Sequence, residues 1–239
     1  MNRIITCAAL MLLSTRALAS SFEINALKNV TQDEFHQIAQ DLGAAFSYKP
    51  LAPADTLGPL GFDIAAALDA TPLANTAAVQ KSIENSTVFS TLPVPSVRFI
   101  KGLPRNVDIG AFYARVPVSS VNLYGAEIKW AILPGDIALP AVALRGAFTR
   151  INGVSQLGFE SYSADISVSK GFVFITPYAG VGAVRSNTSA DGLALKQVNL
   201  TQGKVFGGAS LNLGLANLDI EADSTGGIRT YGAKVGFRF

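Results

Sequence analysis

From about residue 60 to the end of the chain, apolar and polar side chains alternate one for one in segments of strand length. Phe62, Ile64, Ala66 and Leu68 face away from Asp63, Ala65, Ala67 and Asp69, and Tyr124, Ala126, Ile128, Trp130 and Ile132 away from Gly125, Glu127 and Lys129. The same pattern recurs with Val142, Leu144 and Phe148 against Arg145 and Thr149, and with Tyr162, Ala164, Ile166 and Val168 against Ser163, Asp165 and Ser167. It returns in Val205, Gly207, Ala209, Leu211 and Leu213 against Phe206, Gly208, Ser210 and Asn212, and in Leu218, Ile220 and Ala222 against Asp219, Glu221 and Asp223. Stretches near 94–101, 107–116 and 172–185 alternate less cleanly and are assigned as strands from their β-branched and aromatic content.

Connections of two kinds separate these segments. Short ones are expected at 102–105, 134–136, 170–171 and 216–217, and longer, polar ones at 75–93, 117–120, 151–156, 187–201 and 224–228, in strict alternation. Between them lie ten strands, near 60–74, 94–101, 106–116, 121–132, 137–150, 157–169, 172–186, 203–215, 217–223 and 229–239. An even count lets the last strand close against the first, so the expectation is an all-β, antiparallel transmembrane β-barrel of about ten strands. Short turns then lie at the periplasmic rim and longer loops outside. An eleventh strand at 45–48 would spoil closure, which places residues 20–59 outside the barrel wall, which spans 60–239. Within 20–59, Thr31-Gln32-Asp33-Glu34 is a capping box, followed at helical spacing by Phe35, Ile38, Ala39 and Leu42. This predicts a short N-terminal amphipathic helix over 31–42, ending near Gly43, then an extended tether through Pro50, Pro53 and Pro59. As a plug it would sit in the barrel mouth; as a periplasmic element it would lie beneath it.

The N-terminus sharpens the compartment. Residues 1–19 combine a basic start at Arg3, an apolar run from Ile4 to Leu13 and the small-residue exit Ala17-Leu18-Ala19, the pattern of a signal peptide cleaved after Ala19. Cleavage removes Cys7, the one cysteine, so the mature chain has no disulfide or thiol nucleophile. It also removes Arg3 and Arg16, bringing the 19 basic residues level with the 17 acidic ones; a formal charge of zero argues against nucleic acid as a partner. Hydrophobic residues make up 49% and charged residues only 15% of the chain, yet past the signal no stretch reaches the ~20 apolar residues of a membrane helix. Apolar composition broken at every second residue fits strands that face lipid on one side.

The last nine residues place Tyr231, Ala233, Val235, Phe237 and the terminal Phe239 on one face. This resembles the C-terminal signature that bacterial outer-membrane proteins present to their barrel-assembly machinery, which it implies as a partner during biogenesis. The stretches 41–50 (DLGAAFSYKP), 176–182 (TPYAGVG), 211–215 (LNLGL) and 231–239 (YGAKVGFRF) resemble a group of proteobacterial outer-membrane β-barrel proteins. The resemblance implies the fold and the cell outer membrane as location, and brings no activity with it.

The polar strand faces carry acids (Asp63, Asp69, Glu127, Asp165, Asp219, Glu221) and bases (Lys129, Arg145, Lys234, Arg238). A charge turned to the hydrocarbon midplane would cost about 2–4 kcal/mol, so these are candidate lumen residues. They line either a polar path for a small solute or a self-neutralised network that fills the interior, as eight-stranded barrels are filled. The single histidine, His36, falls on the predicted helix, so no histidine-dependent catalysis can run inside the barrel and the chain is read as a non-enzyme. No cofactor is implied, and one histidine with no dense carboxylate loop offers no metal site. Trp130 and Tyr124, on one face, suit an interfacial aromatic girdle. Three functions remain open: a monomeric narrow channel or small-solute transporter with an N-terminal plug, embedded in outer-membrane lipid; a structural or surface-interaction barrel with a filled lumen; and a soluble periplasmic barrel holding an apolar ligand.

Overall fold

A computed structural model describes residues 24, 26–83, 90–117 and 119–239. The signal peptide and part of the 75–93 connection lie outside the described residues. Ten antiparallel strands form a closed barrel in which every strand pairs with its sequence neighbours: β1 Phe62–Pro72, β2 Thr91–Leu103, β3 Val107–Arg115, β4 Asn122–Leu133, β5 Ala141–Asn152, β6 Leu157–Ser169, β7 Ile175–Ala190, β8 Val198–Leu213, β9 Ala216–Thr225 and β10 Ile228–Arg238. Closure comes from β1 and β10, in register from Asp63 opposite Arg238 to Ala70 opposite Tyr231. Phe62 and Phe239 extend the seam with reciprocal backbone hydrogen bonds of 2.9 Å and stacked rings. The end where β1 begins and β10 stops is called lower here, the opposite end upper.

Period-2 alternation explains the wall. Along β1, Asp63, Ala65, Ala67 and Asp69 are buried while Ile64, Ala66 and Leu68 are exposed, and β4 and β6 repeat this with polar side chains inside. A bulge between Ala131 and Leu133 shifts the β4–β5 register near the lower rim.

The connections differ from the expected two classes. Upper ones occupy 73–90, 116–121, 153–156, 191–197 and 226–227; lower ones 104–106, 134–140, 170–174 and 214–215. Gly226 and Gly227 (φ 60° and 87°) make a two-residue upper hairpin, since only glycine takes consecutive positive φ at little cost, where a longer loop was expected. The lower turn 134–140 is as long as the upper 191–197, and the expected 216–217 turn lies at 214–215, where Gly214 takes φ 75°. Length alone therefore does not separate the two ends.

α1 spans Gln32–Phe46, running past the expected stop at Gly43. Its start is the capping box: Thr31 Oγ1 accepts from the Glu34 amide while the Glu34 carboxylate accepts from the Thr31 amide at 2.9 Å. Gly43 lies within the helix, where its lack of a side chain lets α1 approach Gln202 and Ser186 of the wall. A short helix α2, Thr76–Lys81, lies in the upper β1–β2 connection.

Candidate functional site

The N-terminal segment occupies the interior of the barrel. Phe35, Ile38, Leu42 and Phe46 of α1 form one apolar core with Leu92 and Val94 of β2, Leu123 of β4, Phe159 of β6 and Val198 of β8, all inward-facing positions near the upper end. Phe46 meets Phe159 edge-on at 5.7 Å. The helix is tied to the upper connections as well. Asp41 accepts from the backbone amides of Ala74 (3.1 Å) and Asn75 (2.9 Å), Gln32 exchanges hydrogen bonds with Lys196, and Glu34 pairs with Lys81. Burial raises the Asp41 carboxyl above its ordinary range despite those amides, whereas the Lys81 ammonium, with the Thr31 amide, holds Glu34 below its own.

Below the helix the extended tether, residues 47–57, descends through the lumen to the lower rim. Lys49 Nζ reaches Asp223 Oδ1 at 2.7 Å and the Ala44 carbonyl at 2.6 Å. Arg98 Nη1 donates to the Lys49 carbonyl at 2.6 Å, lies over the rings of Tyr48 and Phe112, and stands 3.5 Å from Asp69. Lys204 Nζ donates to the Tyr48 carbonyl at 2.5 Å, and the Leu51 amide donates to Glu221 at 2.8 Å. Lower down, Lys129 Nζ donates to the Asp55 carbonyl at 2.6 Å, the Thr56 hydroxyl donates to Asp108 at 2.9 Å, and the Ala54 amide donates to Ser169. An extended strand with no sheet partner must satisfy its backbone elsewhere, and here inward charges of β2, β3, β4, β8 and β9 do so.

Every sequence-selected charge faces inward. Asp63, Asp69, Glu127, Lys129, Arg145, Asp165, Asp219, Glu221 and Lys234 are buried, and Arg238 is nearly so at the lower rim. They assemble into small networks: Arg145 between Glu127 (2.9 Å) and Asp165 (3.7 Å); Lys234 between Asp63 (2.9 Å) and Asp219 (3.0 Å); Arg238 between Asp63 (3.5 Å) and Asp55 (3.9 Å). Four more members were missed: Arg98, Asp108, Lys204 and Asp223. Lys204 stands two residues before Phe206, on the face already assigned as inward, and Asp223 continues the Asp219, Glu221 row, so the period alone could have supplied both. Arg98 and Asp108 lie in the less regular β2 and β3.

Beside Tyr48, Lys49 and Arg98, where tether and wall meet, the cavity is about 10 Å³, room for one water. A ten-stranded wall encloses more than its own side chains fill, and the tether takes up that excess. Among the described residues no cluster of His, Cys, Asp and Glu has the geometry of a metal site. His36 is exposed on α1, away from these networks. Tyr231, Ala233, Val235, Phe237 and Phe239 all point outward from β10 and the chain end.

No family model and no curated protein matches the sequence. Solved structures similar in fold include the N-terminal β-barrel domain of Pseudomonas aeruginosa OprF (13% identity, 76% of this chain and 99% of that one, TM-score 0.38). LpxR from Salmonella typhimurium matches at 9% identity over 73% and 99% (TM-score 0.40), and Ail, the attachment invasion locus protein of Yersinia pestis, at 10% over 75% and 97% (TM-score 0.31). Likeness this distant carries no residue role or activity across to this chain.

Proposed function

We propose that this protein is an outer-membrane β-barrel kept closed by its own N-terminal segment, acting as a structural or surface-interaction barrel without a standing channel. The observation that carries this reading is the continuous ladder of hydrogen bonds from Lys49–Asp223 near the helix to Thr56–Asp108 near the lower rim. A transported solute would have to break it. The outward face supports the membrane placement: Ile64, Leu68, Val97, Ile128, Ile166, Val181 and Val235 are exposed around the middle of the wall, where the charges are inside and outward ones are confined to the strand ends. A water-soluble barrel holding an apolar ligand would need the opposite arrangement. The outward aromatic run of β10 supports recognition by the barrel-assembly machinery, and a wall that closes on itself supports a monomer.

Planar-bilayer recording tests the closed state. The intact chain is expected to give no steady conductance, and Lys49→Glu, which sets a carboxylate against Asp223, is expected to give intermittent openings. A steady conductance from the intact chain would overturn the reading in favour of a narrow channel.

A further inference from the structure

The outward face is electrically uneven. Arg115, Arg150, Arg185 and Arg229 all project outward near the upper strand ends, and the four outward tyrosines, Tyr113, Tyr124, Tyr162 and Tyr231, accompany them. In register, Tyr124 is opposite Arg150 and Tyr162 opposite Arg185. Among the described residues none of these arginines forms an ion pair; of the nearby acids, Glu160, opposite Arg150, has its Oε1 taken by Asn187 at 3.0 Å, and Asp191 in the upper connection accepts from Ser189. At the lower rim the outward Lys101 is spent on the carbonyls of Pro59 and Gly61.

One stretch of this belt is also hollow. Across β10, β9 and β8 the outward rows read Arg229, Ser224, Val205 and, below it, Tyr231, Ala222, Gly207. Ser224, Ala222 and Gly207 are too small to stand level with Tyr231, so the surface dips into a groove of about 460 Å³, with Arg229 and Ser224 at its upper edge. Ile220, next below Ala222 on the outward face and well exposed, stands at the foot of it. The groove is therefore apolar along its length and cationic with a hydroxyl donor at the top.

We infer that this groove binds one membrane lipid with a net anionic phosphate headgroup, an acyl chain lying over Ala222 and Gly207 and the phosphate held by Arg229 and Ser224. The inference rests on the membrane placement proposed above. Arginine suits a phosphate oxygen pair through its planar fork of donors, and unpaired arginines at the interface leave that fork free. The acyl chain fills a depression that neighbouring wall side chains leave open, and the one-sided belt gives the headgroup a single favoured end of the barrel.

The test uses the full chain folded in a neutral detergent, loaded with dioleoylphosphatidic acid or dioleoylphosphatidylcholine and read by native mass spectrometry. The intact chain is expected to retain one phosphatidic acid in preference to phosphatidylcholine. Arg229→Gln should lower that retention about fivefold, the scale of one basic residue at an anionic surface. Ala222→Phe, which fills the groove, should abolish retention of both lipids, and Arg150→Gln, outside the groove, should leave it unchanged. Equal retention of the two lipids, or unchanged retention in Arg229→Gln and Ala222→Phe, would overturn the site. So would capture of inorganic phosphate alone, which would make it a free-anion site. Heat-modifiable migration and insertion into phosphatidylcholine vesicles are read on the same samples. A chain that inserts but shows no preference loses only the lipid site, whereas one that does not insert loses the membrane placement as well.

Discussion

Lys49, on a segment outside the sheet, and Asp223, on the ninth strand of it, meet at 2.7 Å with both side chains at least 97% buried. Lys204 stands 3.7 Å from the same carboxylate, and the Thr225 hydroxyl donates to it at 3.1 Å, so Asp223 is the point where tether and wall are joined. Replacing Lys49 by Met removes one of two cations from a buried acid and is expected to destabilise the folded protein by about 3–5 kcal/mol, the cost of breaking a buried pair from one side. Lys49→Met combined with Asp223→Asn should recover only part of that loss, because Lys204 is then left without its carboxylate. Denaturant unfolding in detergent, followed by heat-modifiable migration, measures both; additive losses would show that the two residues are not coupled.

Arg145 should be the least replaceable wall residue. It neutralises Glu127 and Asp165 from β5 while both are buried, with Glu127 on the preceding strand and Asp165 directly opposite on the next. Arg145→Leu is expected to cost at least the ~3–5 kcal/mol of a broken buried pair, because two carboxylates lose their partner together. Arg145→Lys should recover only part of it, since one ammonium lacks the planar fork that spans both acids. Equal stability of the Lys and Leu variants would show that the charge is not what matters there.

Glycines facing the lumen mark where aromatic rings lie across the next strand. Tyr178 is paired with Gly208, and a Cβ added at Gly208 would collide with the Ile220 carbonyl and come within 2.7 Å of the phenol oxygen; at Gly125 it would meet the Phe148 carbonyl and the Phe112 ring in the same way. Gly208→Val must displace Tyr178 and push against the Ile220 backbone on the next strand, so a loss of at least about 1–3 kcal/mol is expected from overpacking. Gly203, outward on the same strand with nothing nearby, serves as the control, and Gly203→Val should cost much less in the same unfolding measurement.

Much of the wall was legible because burial on one face imposes a strict period of two, as in β1, β4 and β6. The period failed where its cause was absent. At 187–190 and 198–201 polar residues such as Asn187, Ser189, Asn199 and Thr201 occupy the outward face too, so β7 and β8 run on past the end of any alternation. In the lower turns Ile137, Val173 and Phe174 are apolar yet exposed, which made 137–140 and 172–174 read as strand. The charged network was legible for the same reason as the wall. What the sequence could not convey is that Lys49 and Asp55 complete it. Their partners Asp223 and Arg238 are more than 170 residues away along the chain, and no local pattern encodes a segment threaded through a lumen.

Two acids on α1 should give its docking opposed responses to pH. Glu34 is held below its ordinary value of 4.5 by Lys81 and the Thr31 amide, so its contribution is present above that value and is lost as pH falls through the lowered one. Asp41 is raised above 3.8 by burial, so the folded state keeps a proton that the free helix would release. Its contribution is therefore present in acid and is lost as pH rises through the raised value. The intact chain is expected to show a shallow net dependence near pH 4, with each variant exposing one limb. Asp41→Asn leaves the Glu34 limb, and docking should weaken on acidification. Glu34→Gln keeps a side chain able to complete the capping box but leaves only Asp41, and docking should strengthen on acidification. Hydrogen exchange of the amides over residues 35–46, corrected for intrinsic rates at each pH, reads the docking directly. The same slope in both variants would show that the helix is held by its apolar face alone.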